Sequence, residues 1–337
     1  MALTDPTLEV EDHSCNPRDY IDELSNTGRW GDDDVLGTLN FITPEIRVAA
    51  AATVREGMSI GCSFPLAAAA PLSQEGHFQR FMMMMPTDPD VVHGSLPGNR
   101  DMSRMRSIAS IAETLMFSSH IQGTHLDSHN HVFFEGTTYN GISAKTVSGL
   151  GGAPVGDIAL IPHGITTRGV LLDVAALLGC ECLEAGYAVT PEELERAEER
   201  QGVRVQSGDI VLLRTGYGSK YLEALAKKKS PTEVFRTEGI AGWHPRCLPW
   251  LHERKAALIG HDGVQDPFPS RFGYSGVGAG LHVVAICRMG LWLMDWANLE
   301  ELSRVCAELG RYEFLMTIAP PRFAGVSGFP VQPVALF

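Results

Sequence analysis

Residues 123–132 read GTHLDSHNHV, and His120 stands just ahead of them. Four histidines and one aspartate thus fall within twelve residues, in a chain of 337 that has only 12 histidines. A neutral imidazole offers a cation one lone pair, and an aspartate offers two anionic oxygens. A packed core has no use for so many imidazoles side by side, so the segment reads as a divalent metal site.

Spacing sharpens that reading. In an extended chain successive side chains take opposite faces. His125, Asp127, His129 and His131 then share one face, and Leu126, Ser128 and Asn130 take the other. His120 falls on the wrong face and needs a bend, which Gly123 can supply. Leu126, Val132, Phe133 and Phe134 give the stretch enough apolar character for a short strand ending at Glu135-Gly136. Carboxylate mixed with imidazole suits zinc or manganese, one or two ions per subunit.

Working outward, the composition bounds the partners. A formal charge of −13 excludes nucleic acid, whose phosphates require clustered Lys and Arg. The one basic run, Lys227-Lys228-Lys229, closes a helix-like stretch, where it reads as a solvated C-terminus. No window nears 18 uninterrupted apolar residues, so no membrane span is expected. The acidic start, MALTDPTLEVEDHSCNPRDYIDEL, lacks the layout of a signal peptide. Seven scattered cysteines form no secreted framework, and Cys180 and Cys182 lack a second pair to close a zinc site. Reduced thiols in a cytoplasmic protein are expected.

Residues 1–25 read as a loose or wrapping arm, and residues 26–337 as one domain. Thr43-Pro44-Glu45 opens a helix. Met58, Ile60 and Cys62 alternate like a strand. Phe81 and Met82–Met85 read either as a buried strand or as an adaptable pocket wall, and a short strand follows near residues 108–117. Strands are expected over 169–173, 207–213, 256–260, 291–294 and 312–318. Helices are expected over 190–201 behind a Thr190/Glu193 capping box, and over 248–254, 281–289 and 298–309. Residues 215–219 read as turn-rich. The irregular mixture, without repeats or low-complexity linkers, predicts an α/β fold with a mixed β-sheet core flanked by helices.

Other constellations are incomplete. Gly276, Gly278 and Gly280 do not finish a G-x-G-x-x-G run, and Ser275 lacks the second glycine of a nucleophile elbow. His261-Asp262, at a strand end, reads equally as a loop pair or as a pair facing the site. His77, His93, His163, His244 and His252 carry no spacing signal.

The segment GTHLDSHNH resembles the H-x-G-T-H-x-D-x-P-x-H signature of the cyclase family of metal-dependent hydrolases, which includes bacterial kynurenine formamidase and isatin hydrolase. NTGRWGDDDVLGTLNFITPE (26–45), FFEGTTYNG (133–141), CLPWLHERKAALIGHDG (247–263) and HVVAICRMGLWLMDWANLEEL (282–302) also resemble the family's longer bacterial branch. The resemblance implies a cyclase-like, swivelling β/β/α architecture. It also implies hydrolysis, through a metal-activated water, of an amide, cyclic amide or lactone bond in a small aromatic or cyclic substrate. Carried over by position, His125 and Asp127 match metal ligands, with His282 and Asp295 supplying a histidine and a carboxylate from the last third. His131 matches the catalytic acid/base. The family's first ligand falls at Ile121, one residue after His120, so ligation by His120 requires a local bulge. Asn130 replaces the signature proline, and His129 is an added imidazole. Phe81, Met83 and His129 are the candidate substrate contacts. A homo-oligomer, dimer or tetramer, is expected by analogy and from the apolar segments 64–71 and 323–337. The rival reading keeps the fold but makes His131 and Asp127 the acid and base of a metal-independent lyase, dehydratase or cyclisation catalyst. A non-enzymatic protein that binds a small aromatic ligand is the third.

Overall fold

The computed structural model describes residues 17–66, 78–84, 111–120, 123–270, 272 and 280–337. Thirteen strands follow in chain order: β1 (Ser59–Gly61), β2 (Gln79–Met84), β3 (Ala112–Met116), β4 (His125–Asp127), β5 (Ile165–Asp173), β6 (Ala188–Val189) and β7 (Ile210–Arg214), then β8 (Gly242–Trp243), β9 (Leu258–His261), β10 (Trp292–Asp295), β11 (Glu313–Ile318), β12 (Gly328–Pro330) and β13 (Val334–Leu336). Nine of them form one sheet in the order β1-β13-β11-β5-β7-β9-β10-β4-β12. Its centre, β5-β7-β9-β10, is parallel, and every pairing outside that centre is antiparallel. The expected mixed sheet flanked by helices is therefore present.

Parallel strands carry cover on both faces, so their residues are apolar on both. Val170, Leu172, Val211, Leu213, Ile259 and Leu293 pack into one core. Leu171, Ile210, Leu212, Leu258, Trp292 and Met294 pack into the other. Leu126 joins this second core, so its strand neighbours His125 and Asp127 project to the opposite face.

Local signals explain the elements around that sheet. The side chain of Thr43 accepts from the Ile46 amide to cap the helix Pro44–Ala51. Thr190 and Glu193 complete the capping box of the helix Pro191–Gln201. The helix Gly280–Val284 passes into a π-turn at Ala285–Met289, which Gly290 ends in the left-handed region. A Cβ at Gly290 would lie 2.6 Å from the Tyr139 ring, so only glycine fits there.

Several expectations change. The turn-rich stretch after Thr215 becomes a helix at Tyr217–Ala226, because buried Asp262 accepts from the Thr215 and Gly216 amides and holds its entry. Part of the presumed arm is core: Ile21 and Leu24 are buried with the sheet. The methionine run does form a strand, paired with β3 in a separate two-stranded sheet. It is not buried, however. Phe81 is 47% and Met83 65% exposed, so neither lines an enclosed pocket. In the segments expected at an interface, Phe64, Val331, Ala335 and Phe337 are buried by the chain itself, whereas Leu66 and Phe323 are exposed. Met85, His77, His93, Ile121 and Ser275 lie outside the described residues. Among the described residues, no helix is long and apolar enough to cross a membrane.

Leu126 is fully buried behind the two polar residues of β4. Leu126→Ala is expected to lower unfolding free energy by about 2–5 kcal/mol, measured by urea denaturation. A loss below about 1 kcal/mol would show that this strand is not anchored by its apolar face.

Candidate metal centre

Two strand pairings assemble the centre. Antiparallel register sets Asp295 of β10 opposite His125 of β4, and Leu293 opposite Asp127. On the other side, β12 sets Gly328 opposite Asp127 and Pro330 opposite His125. Paired residues share a face, so His125, Asp127 and Asp295 come together at the carboxyl ends of β9 and β10. Crevices at the ends of parallel strands are where open α/β sheets place ligands.

Asp127 is the hub and is 1% exposed. Its Oδ1 lies 2.8 Å from His120 Nδ1 and 3.5 Å from His125 Nε2. Its Oδ2 lies 3.9 Å from both His131 Nε2 and His282 Nε2, and has no hydrogen-bond partner. Burial raises the pKa of this carboxyl, but His131, His120 and His125 outweigh burial and hold it well below the usual carboxylate range. Two sets of side chains bring their ligand atoms within 4.8 Å of one another and could hold a metal ion: His120, Asp127 and His131, and His125, Asp127 and Asp295. They share Asp127.

Three of the four imidazoles around Asp127 are fixed from behind. His125 Nδ1 donates to the Gly123 carbonyl at 2.8 Å, which leaves Nε2 for the centre. His120 Nε2 lies 2.8 Å from Ser327 Oγ. His282 Nδ1 lies 2.5 Å from Asp266 Oδ2, with Nε2 3.7 Å from Asp295 Oδ2. Burial alone would lower the His282 pKa, but the Asp266 and Asp295 carboxylates raise it well above its ordinary value. Asp295 is held in turn by Gln265, whose Nε2 is 2.7 Å from Oδ1.

His131 differs. Its ring stacks on His120 at 3.7 Å and keeps 30% side-chain exposure. Among the described residues no hydrogen bond fixes that ring. Burial lowers its pKa to about 4 despite Asp127, so the imidazole is neutral near pH 7.

His120 reaches the cluster from a turn rather than from the strand, and Gly328 makes the approach possible. A Cβ on Gly328 would lie 2.5 Å from the His120 ring. His129 does not join. The chain leaves the extended form at Ser128 and makes a 3-10 turn over His129–His131, which breaks the two-residue alternation. His129 is fully buried between Tyr139 and Trp292 and donates from Nε2 to the Gly290 carbonyl, so it cannot contact substrate. His261 and Asp262 are likewise fully buried rather than facing an opening.

Asp266, Gln265, Ser327 and Gly328 escaped the sequence reading. Gln265 and Asp266 lie two and three residues after the GHDG stretch, the only local hint. Ser327 and Gly328 carry no hint of their own.

The family model described as "Putative cyclase" matches residues 58–265. A crystal structure of a novel cyclase shares 27% identity and a TM-score of 0.77, covering 93% of this chain and 100% of its own. Isatin hydrolase A from Labrenzia aggregata, bound to benzyl benzoate, is similar in fold: TM-score 0.51 and 19% identity over 85% of this chain and 94% of its own. Isatin hydrolase A from Ralstonia solanacearum gives 0.52 and 16%, over 87% and 97%. A search of curated proteins gives no significant match. The matched region spans more than half of the residues and includes His120, His125, Asp127 and His131, and the chain belongs to the putative cyclase family.

Proposed function

We propose that this protein is a metal-dependent hydrolase that cleaves an amide, cyclic amide or lactone bond of a small substrate. One observation carries the reading: a fully buried carboxylate, Asp127, with an unpartnered oxygen among four imidazoles and a second carboxylate. An unpaired buried charge is costly, and a divalent cation is what such a donor set suits. His125, Asp127 and Asp295 would hold it, with His120 and His282 completing the set, and zinc or manganese fits these ligands. When bound, such a cation polarises a carbonyl and brings the pKa of water down to about 7.

The protein's own groups supply the rest. His131, neutral and the most open member, takes a proton from water as it adds to the acyl carbon. It returns that proton to the departing nitrogen or oxygen as the C–N or C–O bond breaks. The fixed imidazoles of His125, His120 and His282 keep their orientation while this happens. The solved isatin hydrolases of similar fold make isatin-type lactams the first substrates to screen, with aryl formamides, cyclic imides and lactones after them.

Protein purified without chelator is expected to carry Zn or Mn by elemental analysis, and EDTA is expected to abolish hydrolysis. Absence of metal together with activity that survives EDTA would reject the reading in favour of acid–base chemistry by His131 and Asp127. Asp127→Asn is expected to abolish metal uptake. His131→Ala should lower kcat by about 10²–10⁴-fold with metal content unchanged; loss of the metal would make His131 a ligand instead.

Self-association is part of the same proposal. A two-stranded sheet is marginal alone, and β2-β3 presents exposed Phe81, Met83, Leu115 and Met116. Sedimentation velocity should give more than one chain's mass, and Met83→Glu should reduce it. A monomeric wild type would refute this.

A further inference from the structure

We infer that Asp266 is a positioning residue, which fixes the nitrogen that His282 presents to Asp127 and Asp295 and thereby sets the cation affinity of the centre. The inference rests on the metal-centre reading above.

Asp266 is 8% exposed, and its contacts all converge on one short stretch. Oδ1 accepts from the Leu281 amide at 2.9 Å, and Oδ2 lies 3.4 Å from the His282 amide and 2.5 Å from His282 Nδ1. An ionised carboxylate only accepts, so Nδ1 must carry its proton. The other nitrogen, Nε2, is the one left facing Asp127 and Asp295, at 3.9 and 3.7 Å. A side chain that accepts from both the backbone and the ring of the same residue leaves that ring little freedom to flip.

The contrast within the cluster supports the assignment. His125 is held by a backbone carbonyl and His120 by a serine hydroxyl. Among the described residues, only His282 has a charged partner behind it, and a charged acceptor makes the stronger hydrogen bond and the more electron-rich ring. His282 also comes from outside the strands, so strand register does not orient it. Asp266 does what register does for His125.

A double-mutant cycle on the full chain, stripped of metal and titrated calorimetrically with Zn²⁺ and Mn²⁺, tests this. Asp266→Asn keeps the size and one acceptor oxygen, for the Leu281 amide, and puts an NH2 donor where His282 Nδ1 now finds an acceptor. It is expected to weaken cation binding by about 10–100-fold in the wild-type background and to have almost no further effect in His282→Ala. A full effect in both backgrounds would mean that Asp266 acts on the fold rather than through His282. No effect in either would remove the role altogether. Should Asp266→Asn not fold, histidine-labelled wild-type protein loaded with Zn²⁺ gives the second test. Its His282 Nδ1 proton is expected to be protected from solvent exchange, and rapid exchange would overturn the inference. If wild type itself binds neither cation, the metal-centre reading fails; if wild type binds and His282→Ala does not, while Asp266→Asn binds normally, only this inference fails.

Discussion

Everything around the centre answers to the burial of Asp127. Taking an ionised carboxylate out of water costs several kcal/mol or more unless positive charge or hydrogen bonds replace the solvent. This carboxyl is 1% exposed, and imidazoles surround it. Its neighbours raise the charge problem further, because Asp295 and Asp266 are also buried nearby. His282 lies between Asp266 and Asp295, which favour positive charge at that point. A centre so rich in anionic oxygen is built to prefer cations.

The sheet makes that concentration of charge affordable in space. Parallel strands β9 and β10 end at His261 and Asp295, and antiparallel β4 and β12 close against them. Behind the polar face Leu126, Met294 and Trp292 fill the second core, and on its own side Leu293 and Ile259 belong to the first. Glycine appears where polar groups must come close, as Gly328 does beneath His120.

How much of this was legible depended on the range of the signal. The shared face of His125 and Asp127 followed from two-residue alternation, which holds within β4. Alternation fails at His129, where the Ser128 hydroxyl lies 2.6 Å from Asn130 Oδ1 and 2.7 Å from the Ser327 carbonyl and its one proton serves local acceptors, favouring a turn over a continued strand. The methionine run announced a strand but not its exposure, since β-propensity describes a local surface and not what covers it. His282 and Asp295 entered only through the family resemblance; periodicity alone had nothing to say about a pairing of β10 with β4 across more than 150 residues. Asp266 and Ser327 were illegible for the same reason, being polar residues in loops whose partners are set by the fold.

Because ligand and core residues alternate along so short a strand, β4 tolerates no change of length. Inserting or deleting one residue in β4, or in β10 opposite it, would exchange the two faces. Leu126 would then point into the polar crevice, and His125 and Asp127 would enter the hydrocarbon. Point substitutions in this region can be graded, each removing one group. A frame shift of a single position in the strand has no mild form, so length changes are tolerated far more freely in the loops than within β4 and β10.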